Sequence, residues 1–321
     1  MKILITGGGG FLGFRLARAL LARGNLGGKP ITSLTLLDGA FPEAAAKEPR
    51  LKAVTGDVSD PKVIAAVCPP DTDAVFHLAA VVSGAAEADF DLGMRVNLQG
   101  TELLLAQMRK CAKPPRLVYT SSVAAFGGAL PAVLDDSTIA NPQTSYGTQK
   151  VIGEYLVSDY SRKGFLDGRS LRLPTIVVRA GKPNAAASSF ASGILREPLN
   201  GVASECPVAP ETGVWMLSPG RVVEAFLHAW ELPASAWGAQ RWLNLPGITA
   251  SVAQMIEALK KVAGPKVAGL VSYKPDARIQ AIVKTWPANF KTPRALAMGF
   301  TPDADVESII RDYIADENLK L

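Results

Sequence analysis

Short apolar runs recur along the first half of the chain, and most of them show no alternation between apolar and polar positions. Unbroken runs of this kind are typical of strands that are buried on both faces of a sheet. We predict strands at Lys2–Thr6, Leu34–Asp38, Leu51–Thr55, Ala74–Leu78, Leu117–Thr120 and Leu171–Val178, the last of them interrupted by Pro174.

Longer segments with helical spacing separate these runs. We predict helices at Phe11–Arg23, Phe90–Cys111 and Ser145–Lys163. Regular alternation of strand and helix indicates parallel strands joined by right-handed crossovers. The pattern therefore predicts an α/β fold with a doubly wound parallel sheet of the Rossmann type.

The composition changes after residue 178, where prolines and turn residues become frequent. Helices are predicted at Val222–Trp230, Val252–Val262 and Val306–Leu319, with one short strand near Trp242–Leu245. We therefore predict a sheet domain over residues 1–178 and a smaller mixed α/β lobe over residues 179–321. Some segments of the lobe are expected to return to the sheet.

Composition argues against several classes of protein. The chain has 321 residues, a hydrophobic fraction of 48% and a net charge of +5, yet it contains no block of five Lys or Arg residues. This argues against nucleic-acid binding, and no apolar stretch reaches transmembrane length. Three dispersed cysteines without metal-ligand spacing predict reduced thiols, no metal site and a cytoplasmic location.

A glycine-rich turn, Thr6–Gly13, connects the first strand to the first helix. Glycines at Gly7, Gly10 and Gly13 permit a tight turn, a close approach of the backbone to a pyrophosphate, and close packing of the helix on the sheet. The amides at the start of the helix then bind the phosphates. The alternative is a turn that is merely flexible, but its position between the first strand and helix favours a dinucleotide site.

Asp38 ends the second predicted strand, 25 residues after Gly13. A carboxylate at this place accepts hydrogen bonds from both ribose hydroxyls of NAD and repels the additional phosphate of NADP. The alternative is an ordinary turn aspartate before Gly39. The position favours the ribose role, and NAD is the predicted cofactor.

Two further motifs carry hydroxyl and amine chemistry. Tyr146 and Lys150 are four residues apart, so both side chains point from one face of a helix. A neighbouring ammonium and a positive nicotinamide ring both lower the pKa of a phenol, which makes Tyr146 a base for a substrate hydroxyl. Ser122 follows the fifth predicted strand and is placed to orient the same oxygen. Each motif alone has a simpler explanation, since an amphipathic helix carries such a pair by chance and serines frequently form turns.

In combination these motifs resemble the extended short-chain dehydrogenase/reductase family, also described as the NAD-dependent epimerase/dehydratase family. The resemblance covers residues 1–150 in the order and spacing of the family. The matching segments are Thr6–Gly13, Gly56–Val58, His77–Ala80, Asn97–Thr101, Ser121–Gly127 and Tyr146–Lys150.

The resemblance implies roles for individual residues. Ser122, Tyr146 and Lys150 are expected to be catalytic, and Asn97 and His77 to have mainly structural roles. Asp57 and Val58 are expected at the adenine. The full set of predicted cofactor contacts is Gly7, Gly10, Phe11, Leu12, Gly13, Asp38, Asp57, Val58, Leu78, Ala79, Ala80, Asn97, Thr120, Tyr146, Lys150 and Pro174.

The second half of the chain narrows the resemblance. Many nucleotide-sugar epimerases and dehydratases carry Arg-x-x-Asn-x-x-Gly-Pro after the sixth strand, whereas this chain has a different segment over Arg172–Pro198. That segment is similar to a group of small sugar-acid dehydrogenases, the D-erythronate dehydrogenases, and is distantly similar to uronate dehydrogenase. The resemblance implies NAD-dependent oxidation of the C2 hydroxyl of a four-carbon acid to the 2-oxo acid.

A small anionic sugar acid requires a cation for its carboxylate and polar groups for its hydroxyls. Candidate contacts, besides Ser122 and Tyr146, are Ser83, Thr144, Thr175, Arg179 and Asn184. Each has a structural alternative, such as an ion pair for the arginine.

Three functions remain open at this stage. The first is a sugar-acid dehydrogenase with net turnover of NAD, and the second is a nucleotide-sugar epimerase or dehydratase that keeps NAD bound. The third is a non-catalytic NAD-binding protein of the same fold. The helices Phe90–Cys111 and Ser145–Lys163 resemble those that form dimers in the family, so a homodimer is expected.

Overall fold

A computed structural model describes residues 1–181 and 188–320 of the chain. The strands are Lys2–Thr6 (β1), Asn25–Leu26 (β2), Lys29–Pro30 (β3), Ser33–Asp38 (β4), Leu51–Thr55 (β5), Ala74–His77 (β6), Arg116–Ser122 (β7), Asp167–Leu173 (β8), Thr175–Ile176 (β9), Ser204–Cys206 (β10), Gly213–Leu217 (β11), Trp242–Asn244 (β12), Ile248–Ser251 (β13) and Val271–Tyr273 (β14).

Helices connect these strands. The α-helices are Phe11–Arg23 (α1), Glu43–Ala46 (α2), Pro61–Val67 (α3), Ser83–Ala88 (α4), Phe90–Gly93 (α5), Gly100–Met108 (α6), Ser145–Arg162 (α7), Ser189–Leu199 (α8), Pro219–Glu231 (α9), Ala234–Trp237 (α10), Val252–Ala263 (α11), Pro265–Ala268 (α12), Ala277–Val283 (α13), Pro293–Ala297 (α14) and Val306–Asp316 (α15). A π-helical segment, Met94–Gln99, joins α5 to α6, and a 3-10 turn lies at Val123–Ala125.

The central sheet has seven strands in the order β12-β8-β7-β6-β1-β4-β5. β1 pairs in parallel with both β4 and β6, and the pairs β4–β5 and β6–β7 are also parallel. The chain therefore winds outward in one direction from β1 to β5 and in the other direction from β6 onward. This is the doubly wound topology predicted from the sequence, and its switch point lies between β1 and β6, where such sheets bind ligands.

The described chain divides into two compact units, each assembled from separate segments. The first unit contains Met1–Ala125, Thr144–Arg172 and Val223–Leu243. The second contains Phe126–Gln143, Leu173–Val222 and Asn244–Leu321. Val223–Leu243 is thus a late segment that belongs to the unit of the central sheet.

Each unit has its own apolar core. In the first unit, α3, α6 and α7 cover one face of the sheet, with side chains such as Leu104, Leu117 and Val157 fully buried. In the second unit, α8, α11 and α15 pack together through residues that include Ile194 and Met255. Burial of these side chains supplies the main favourable term for folding.

The structure corrects the predicted strand Leu171–Val178. β8 begins at Asp167 and ends at Leu173, and Thr175–Ile176 pairs instead with β11 in a separate three-stranded sheet. Pro174 lies between the two strands and has no amide proton for a ladder. The start of β8 escaped prediction because it carries polar residues that are buried all the same, among them Arg169.

Two further expectations are corrected. The segment Phe90–Cys111 is not one regular helix, because the π-helical turns at Met94–Gln99 interrupt it and the last helical residue is Met108. The second half contains more than the one short strand expected near Trp242–Leu245. β10, β11, β13 and β14 are also present in the described part of that half, in addition to β12.

Candidate active site

The glycine-rich turn lies at the carboxyl end of β1. Gly7 has a left-handed backbone (φ 71°), and a Cβ there would lie 2.7 Å from the Ala79 amide nitrogen. A Cβ on Gly13 would lie 2.0 Å from the Gly7 carbonyl oxygen. Neither position accepts a side chain, whereas a Cβ on Gly10 would meet nothing closer than 3.2 Å. The turn therefore forms a shallow backbone cradle at the start of α1.

Asp38 faces this turn from the end of β4. Its Oδ2 accepts hydrogen bonds from the amides of Gly9 at 3.0 Å and Gly10 at 3.1 Å. No side chain caps the start of α1, so the first amides of the helix, at Phe11 and Leu12, remain available to an anion. The cradle, these amides and the carboxylate fit the pyrophosphate and ribose of a dinucleotide. The bracing of the loop by Asp38 was not predicted.

Asp57 and Val58 follow β5. The Asp57 carboxylate accepts hydrogen bonds from the Ser59 amide at 2.8 Å and the Ser59 hydroxyl at 2.7 Å, and these bonds lower its pKa. Val58 is buried against Gly100, where a Cβ would lie 2.8 Å from a Val58 methyl carbon. Asp57 therefore stabilises its own turn, and its predicted contact with adenine stays a prediction.

The segment Leu78–Ala80 follows β6 at the same edge of the sheet, and Asn97 holds its far end. Asn97 Oδ1 accepts from the Val81 amide at 2.7 Å, and Nδ2 donates to the Val81 carbonyl at 3.1 Å. Nδ2 also donates to Oε1 of Gln149 in α7 at 2.8 Å. Asn97 is only 2% exposed, so any influence on a cofactor would pass through the backbone that it positions.

The Thr120 hydroxyl proton is already used within the protein, because it is donated to the His77 carbonyl at 3.0 Å. His77 itself is buried between two threonines. Its Nδ1 lies 2.6 Å from the Thr6 hydroxyl, and its Nε2 lies 2.9 Å from the Thr101 hydroxyl, which donates to the Asn97 carbonyl. Thr101 is therefore the acceptor for Nε2–H, and Nδ1 accepts from Thr6. This chain of hydrogen bonds ties the ends of β1 and β6 to the π-helical segment.

The structure brings Ser122, Tyr146 and Lys150 together. Ser122 ends β7, and the other two lie on the first turns of α7. The Ser122 hydroxyl is near enough to the Tyr146 phenol to lower the pKa of that phenol. The Lys150 Nζ lies 5.6 Å from the centre of the Tyr146 ring and 5.0 Å from the centre of the Tyr119 ring. The phenol, the ammonium and the serine hydroxyl thus form one cluster, in which Lys150 is buried and Tyr146 is partly accessible.

Burial dominates the protonation of this cluster. Desolvation raises the pKa of Tyr146 to about 12, against a smaller lowering by the hydrogen bond with Ser122. Desolvation lowers the pKa of Lys150 to about 7, and the charge of Glu154 opposes that change. From the sequence, a lowered pKa was expected for Tyr146. In the protein itself desolvation outweighs the lowering, and the effect of a nicotinamide ring on this pKa stays a prediction.

Two predicted substrate contacts lie in the same unit. Thr144 caps α7, and its Oγ1 accepts a hydrogen bond from the Gly147 amide at 3.1 Å. It therefore positions the helix that carries Tyr146, and its hydroxyl proton is not used by that bond. Ser83 is the first residue of α4 and is partly exposed.

Other predicted residues belong to the second unit. Pro174 is buried and Thr175 lies in β9. The Arg179 amide donates to the Ser192 hydroxyl at 3.0 Å, and the Arg179 carbonyl accepts from the Arg196 guanidinium at 2.7 Å. Burial and the nearby charge of Arg196 both lower the pKa of Arg179. Asn184 lies outside the described residues.

Sequence reasoning missed a buried ionic group behind the cluster. Glu154 pairs with Arg172 and accepts a hydrogen bond from Ser121, and all three side chains are buried. The available signal was the spacing of Glu154, which is four residues after Lys150 and on the same face of α7.

Within residues 1–181 and 188–320, no helix has the length and apolarity needed to cross a membrane. The same part of the chain shows no group of three His, Cys, Asp or Glu side chains that could hold a metal ion.

Comparison with known proteins gives long and consistent matches. The chain is 57% identical to D-erythronate dehydrogenase of Cupriavidus necator over 323 aligned residues, with 99% of each protein covered. It is 44% identical to D-erythronate dehydrogenase of Haemophilus influenzae, with 98% of this chain and 99% of that protein covered.

A solved structure of the nucleoside-diphosphate-sugar epimerase from Agrobacterium tumefaciens superposes with a TM-score of 0.95 at 44% identity, covering 99% of this chain and 94% of that one. The profile of the NAD dependent epimerase/dehydratase family matches residues 3–230. These findings confirm the family and the cofactor, NAD, expected from the sequence motifs. The chain belongs to the NAD dependent epimerase/dehydratase family.

Proposed function

We propose that this protein is an NAD-dependent dehydrogenase that oxidises the C2 hydroxyl of a small sugar acid, D-erythronate or a near relative, to the 2-oxo acid. The observation that carries the proposal is the 57% identity over the whole length to D-erythronate dehydrogenase of C. necator. The cluster of Ser122, Tyr146 and Lys150 supplies the groups that this chemistry requires.

In the proposed mechanism the phenolate of Tyr146 accepts the proton of the C2 hydroxyl as the C2–H bond breaks. The Ser122 hydroxyl donates a hydrogen bond to the same oxygen and orients it. The Lys150 ammonium stabilises the phenolate and binds the nicotinamide ribose. NAD, when bound, supplies the acceptor for the hydride, so the alcohol loses one hydride and one proton in all. The amides that begin α1, together with Asp38, would hold the pyrophosphate and the adenosine ribose.

The substrate carboxylate requires a cation or several donors. Arg179 and Asn184 are the proposed partners for this group, and Ser83, Thr144 and Thr175 are proposed for the hydroxyl groups. Arg179 is the strongest of these candidates, because it is the cation among them and its backbone is fixed by hydrogen bonds with Ser192 and Arg196. Replacing Arg179 by Met should raise the KM for the acid while leaving the affinity for NAD unchanged.

The direct test mixes purified protein with NAD and a panel of small sugar acids, D-erythronate first, and follows the absorbance of NADH. Formation of NADH that depends on the acid and is lost in Tyr146→Phe would support the proposal. If protein that binds NAD forms no NADH with any acid of the panel, the proposal is overturned.

The second candidate function is a nucleotide-sugar epimerase that returns its hydride to the substrate. The resemblance to the solved A. tumefaciens epimerase favours it. Such an enzyme would retain NAD during purification, release no NADH, and interconvert epimers of a nucleoside-diphosphate sugar. The altered segment after β8 counts against it, and so do the names of the two curated relatives. A non-catalytic NAD-binding protein is the least supported alternative, because the hydroxyl and amine groups of the cluster are all present.

We also propose a homodimer and a cytoplasmic location. The apolar side chains that α5 and α7 leave exposed are Phe90, Ile152 and Tyr155, with exposed fractions of 58%, 36% and 58%. Leu105 and Met108 of α6 are buried in the core of their own unit and do not extend this patch. Light scattering on the protein and on Tyr155→Glu tests the dimer, because the charged residue should shift it toward the monomer.

A further inference from the structure

Glu154 lies on α7 one helical turn after Lys150 and is only 1% exposed. Its Oε1 accepts hydrogen bonds from the Ser121 hydroxyl and from the Arg172 Nε at 2.8 Å, and its Oε2 accepts from the Arg172 Nη2 at 2.6 Å. Ser121 precedes Ser122 in β7, and Arg172 lies in β8. One carboxylate therefore joins the helix that carries Tyr146 and Lys150 to two neighbouring strands.

Lys150 is only 2% exposed, so its ammonium form is costly unless a negative charge acts on it. The rings of Tyr119 and Tyr146 face its ammonium, and His77 approaches it from β6. Burial, with a smaller effect of the Lys150 charge, lowers the pKa of His77 to about 3, so this imidazole is neutral near pH 7. Glu154 is the negative group that acts on Lys150, and it opposes the lowering of the lysine pKa by burial.

We propose that Glu154 is a positioning residue of the proposed active site, whose buried carboxylate fixes α7 against β7 and β8 and keeps Lys150 in its ammonium form beside Tyr146. The inference rests on the proposed function to the extent that Tyr146 and Lys150 are taken as the catalytic pair. Glu154 acts through Lys150 and needs no contact with the substrate.

The effect of the Glu154 charge on Lys150 predicts a change in the dependence of kcat/KM on pH. When the Tyr146–Lys150 pair releases its first proton, the proton leaves either from the phenol, giving the active form, or from the ammonium, giving an inactive form. The Glu154 charge disfavours loss of the lysine proton. Without that charge the inactive form gains population, so the first proton leaves at lower pH while less of the enzyme is active.

The test uses Glu154→Gln, which keeps the size of the side chain. We expect the rising limb of kcat/KM against pH to shift to lower pH by about 1 unit. The value of kcat/KM on the plateau should fall roughly tenfold. A matched control is Asp167→Asn at the opposite end of β8, where the carboxylate receives Arg116, Arg169 and Arg241. The control should lower the melting temperature without moving the limb. An unmoved limb in folded Glu154→Gln would overturn the proposal.

A second variant separates charge from folding. Glu154→Met with Arg172→Met removes both members of the ion pair and avoids leaving one buried charge alone. The displaced limb should persist in this double variant, even if its stability recovers. A profile that returns to that of the wild type would mean that Arg172 offsets the Glu154 charge and that this charge does not hold Lys150 in its ammonium form, which would overturn that part of the proposal.

A measurement without substrate keeps this inference distinct from the proposed function. The NMR signal of the Lys150 Cε, assigned by its loss in Lys150→Met, reports the titration of the ammonium directly. The pKa should fall by about 1 unit in Glu154→Gln and stay unchanged in Asp167→Asn. A shifted titration in a protein that reduces no NAD would overturn the proposed function alone. An unshifted titration in an active enzyme would overturn the role of Glu154.

Discussion

The carboxylate of Asp38 accepts a hydrogen bond from the Gly9 amide at 3.0 Å, which joins the end of β4 to the glycine-rich turn. The same oxygen accepts from Gly10, whereas Oδ1 has only a long contact of 3.4 Å to the Ala40 amide. A carboxylate has about four acceptor positions, so Asp38 retains capacity for ribose hydroxyls. A single residue thus holds the loop, and in the proposed site its negative charge would repel the additional phosphate of NADP.

Asp38→Asn should therefore weaken the preference for NAD over NADP. Losing a charged acceptor costs about 1.5–3 kcal/mol with NAD, and the repulsion of the additional phosphate disappears at the same time. We expect the ratio of kcat/KM for the two cofactors to fall at least tenfold, as measured by steady-state kinetics with each. Asp57→Asn is the matched control, because that carboxylate serves its own turn at Ser59 and should leave the ratio unchanged.

Gly13→Ala should abolish tight binding of NAD and lower the melting temperature. The new Cβ would lie 2.0 Å from the Gly7 carbonyl oxygen, and backbone atoms cannot move aside cheaply. Overpacking of this kind costs about 1–3 kcal/mol. Gly39→Ala is the control, since a Cβ there meets nothing within 4 Å. Calorimetric titration with NAD on both variants checks the prediction, and equal affinities would contradict it.

The shape of this turn could be predicted from the sequence for a local reason. Gly7, Gly10 and Gly13 act through the backbone within one strand–turn–helix unit, so their spacing alone predicts the cradle. The same holds for Tyr146 and Lys150, which share a helix face. The long apolar runs of β1 and β4 likewise identify strands without knowledge of their neighbours.

The failures have a non-local cause. Arg169 is fully buried because its guanidinium donates to the carbonyls of Trp230 and Leu232, far along the chain, and no local pattern shows those partners. Polar residues of this kind concealed the start of β8. Glu154 was missed for the same reason, since it lies on α7 whereas its partners Ser121 and Arg172 lie on β7 and β8.

Tyr146→Phe should remove nearly all dehydrogenase activity while leaving NAD affinity close to that of the wild type. General-base catalysis contributes about 10²–10⁴-fold to rate, and the phenyl ring of the variant has no oxygen to take the proton. Stopped-flow measurement of NADH formation gives the rate, and fluorescence titration gives the affinity. Tyr155→Phe on the same helix is the control, since that ring is 58% exposed. Wild-type rates in Tyr146→Phe would refute the assignment of the base.

His77 should make folding stability depend on pH in a predictable direction. Burial lowers the pKa of His77 from 6.5 to about 3, so only the unfolded chain gains a proton there as the pH falls below 6.5. The native state therefore loses stability on acidification, by about 2 kcal/mol between pH 6.5 and pH 5. Above pH 6.5 both states carry the neutral ring, and His77 adds no pH dependence.

His77→Gln removes this pH dependence of stability together with the hydrogen bonds to Thr6 and Thr101. The variant should be less stable than the wild type at pH 7, and the difference in free energy of unfolding should narrow by about 2 kcal/mol as the pH falls to 5. Urea unfolding at several pH values measures that difference. A gap between wild type and His77→Gln that stays constant with pH would show that His77 is protonated in the native state.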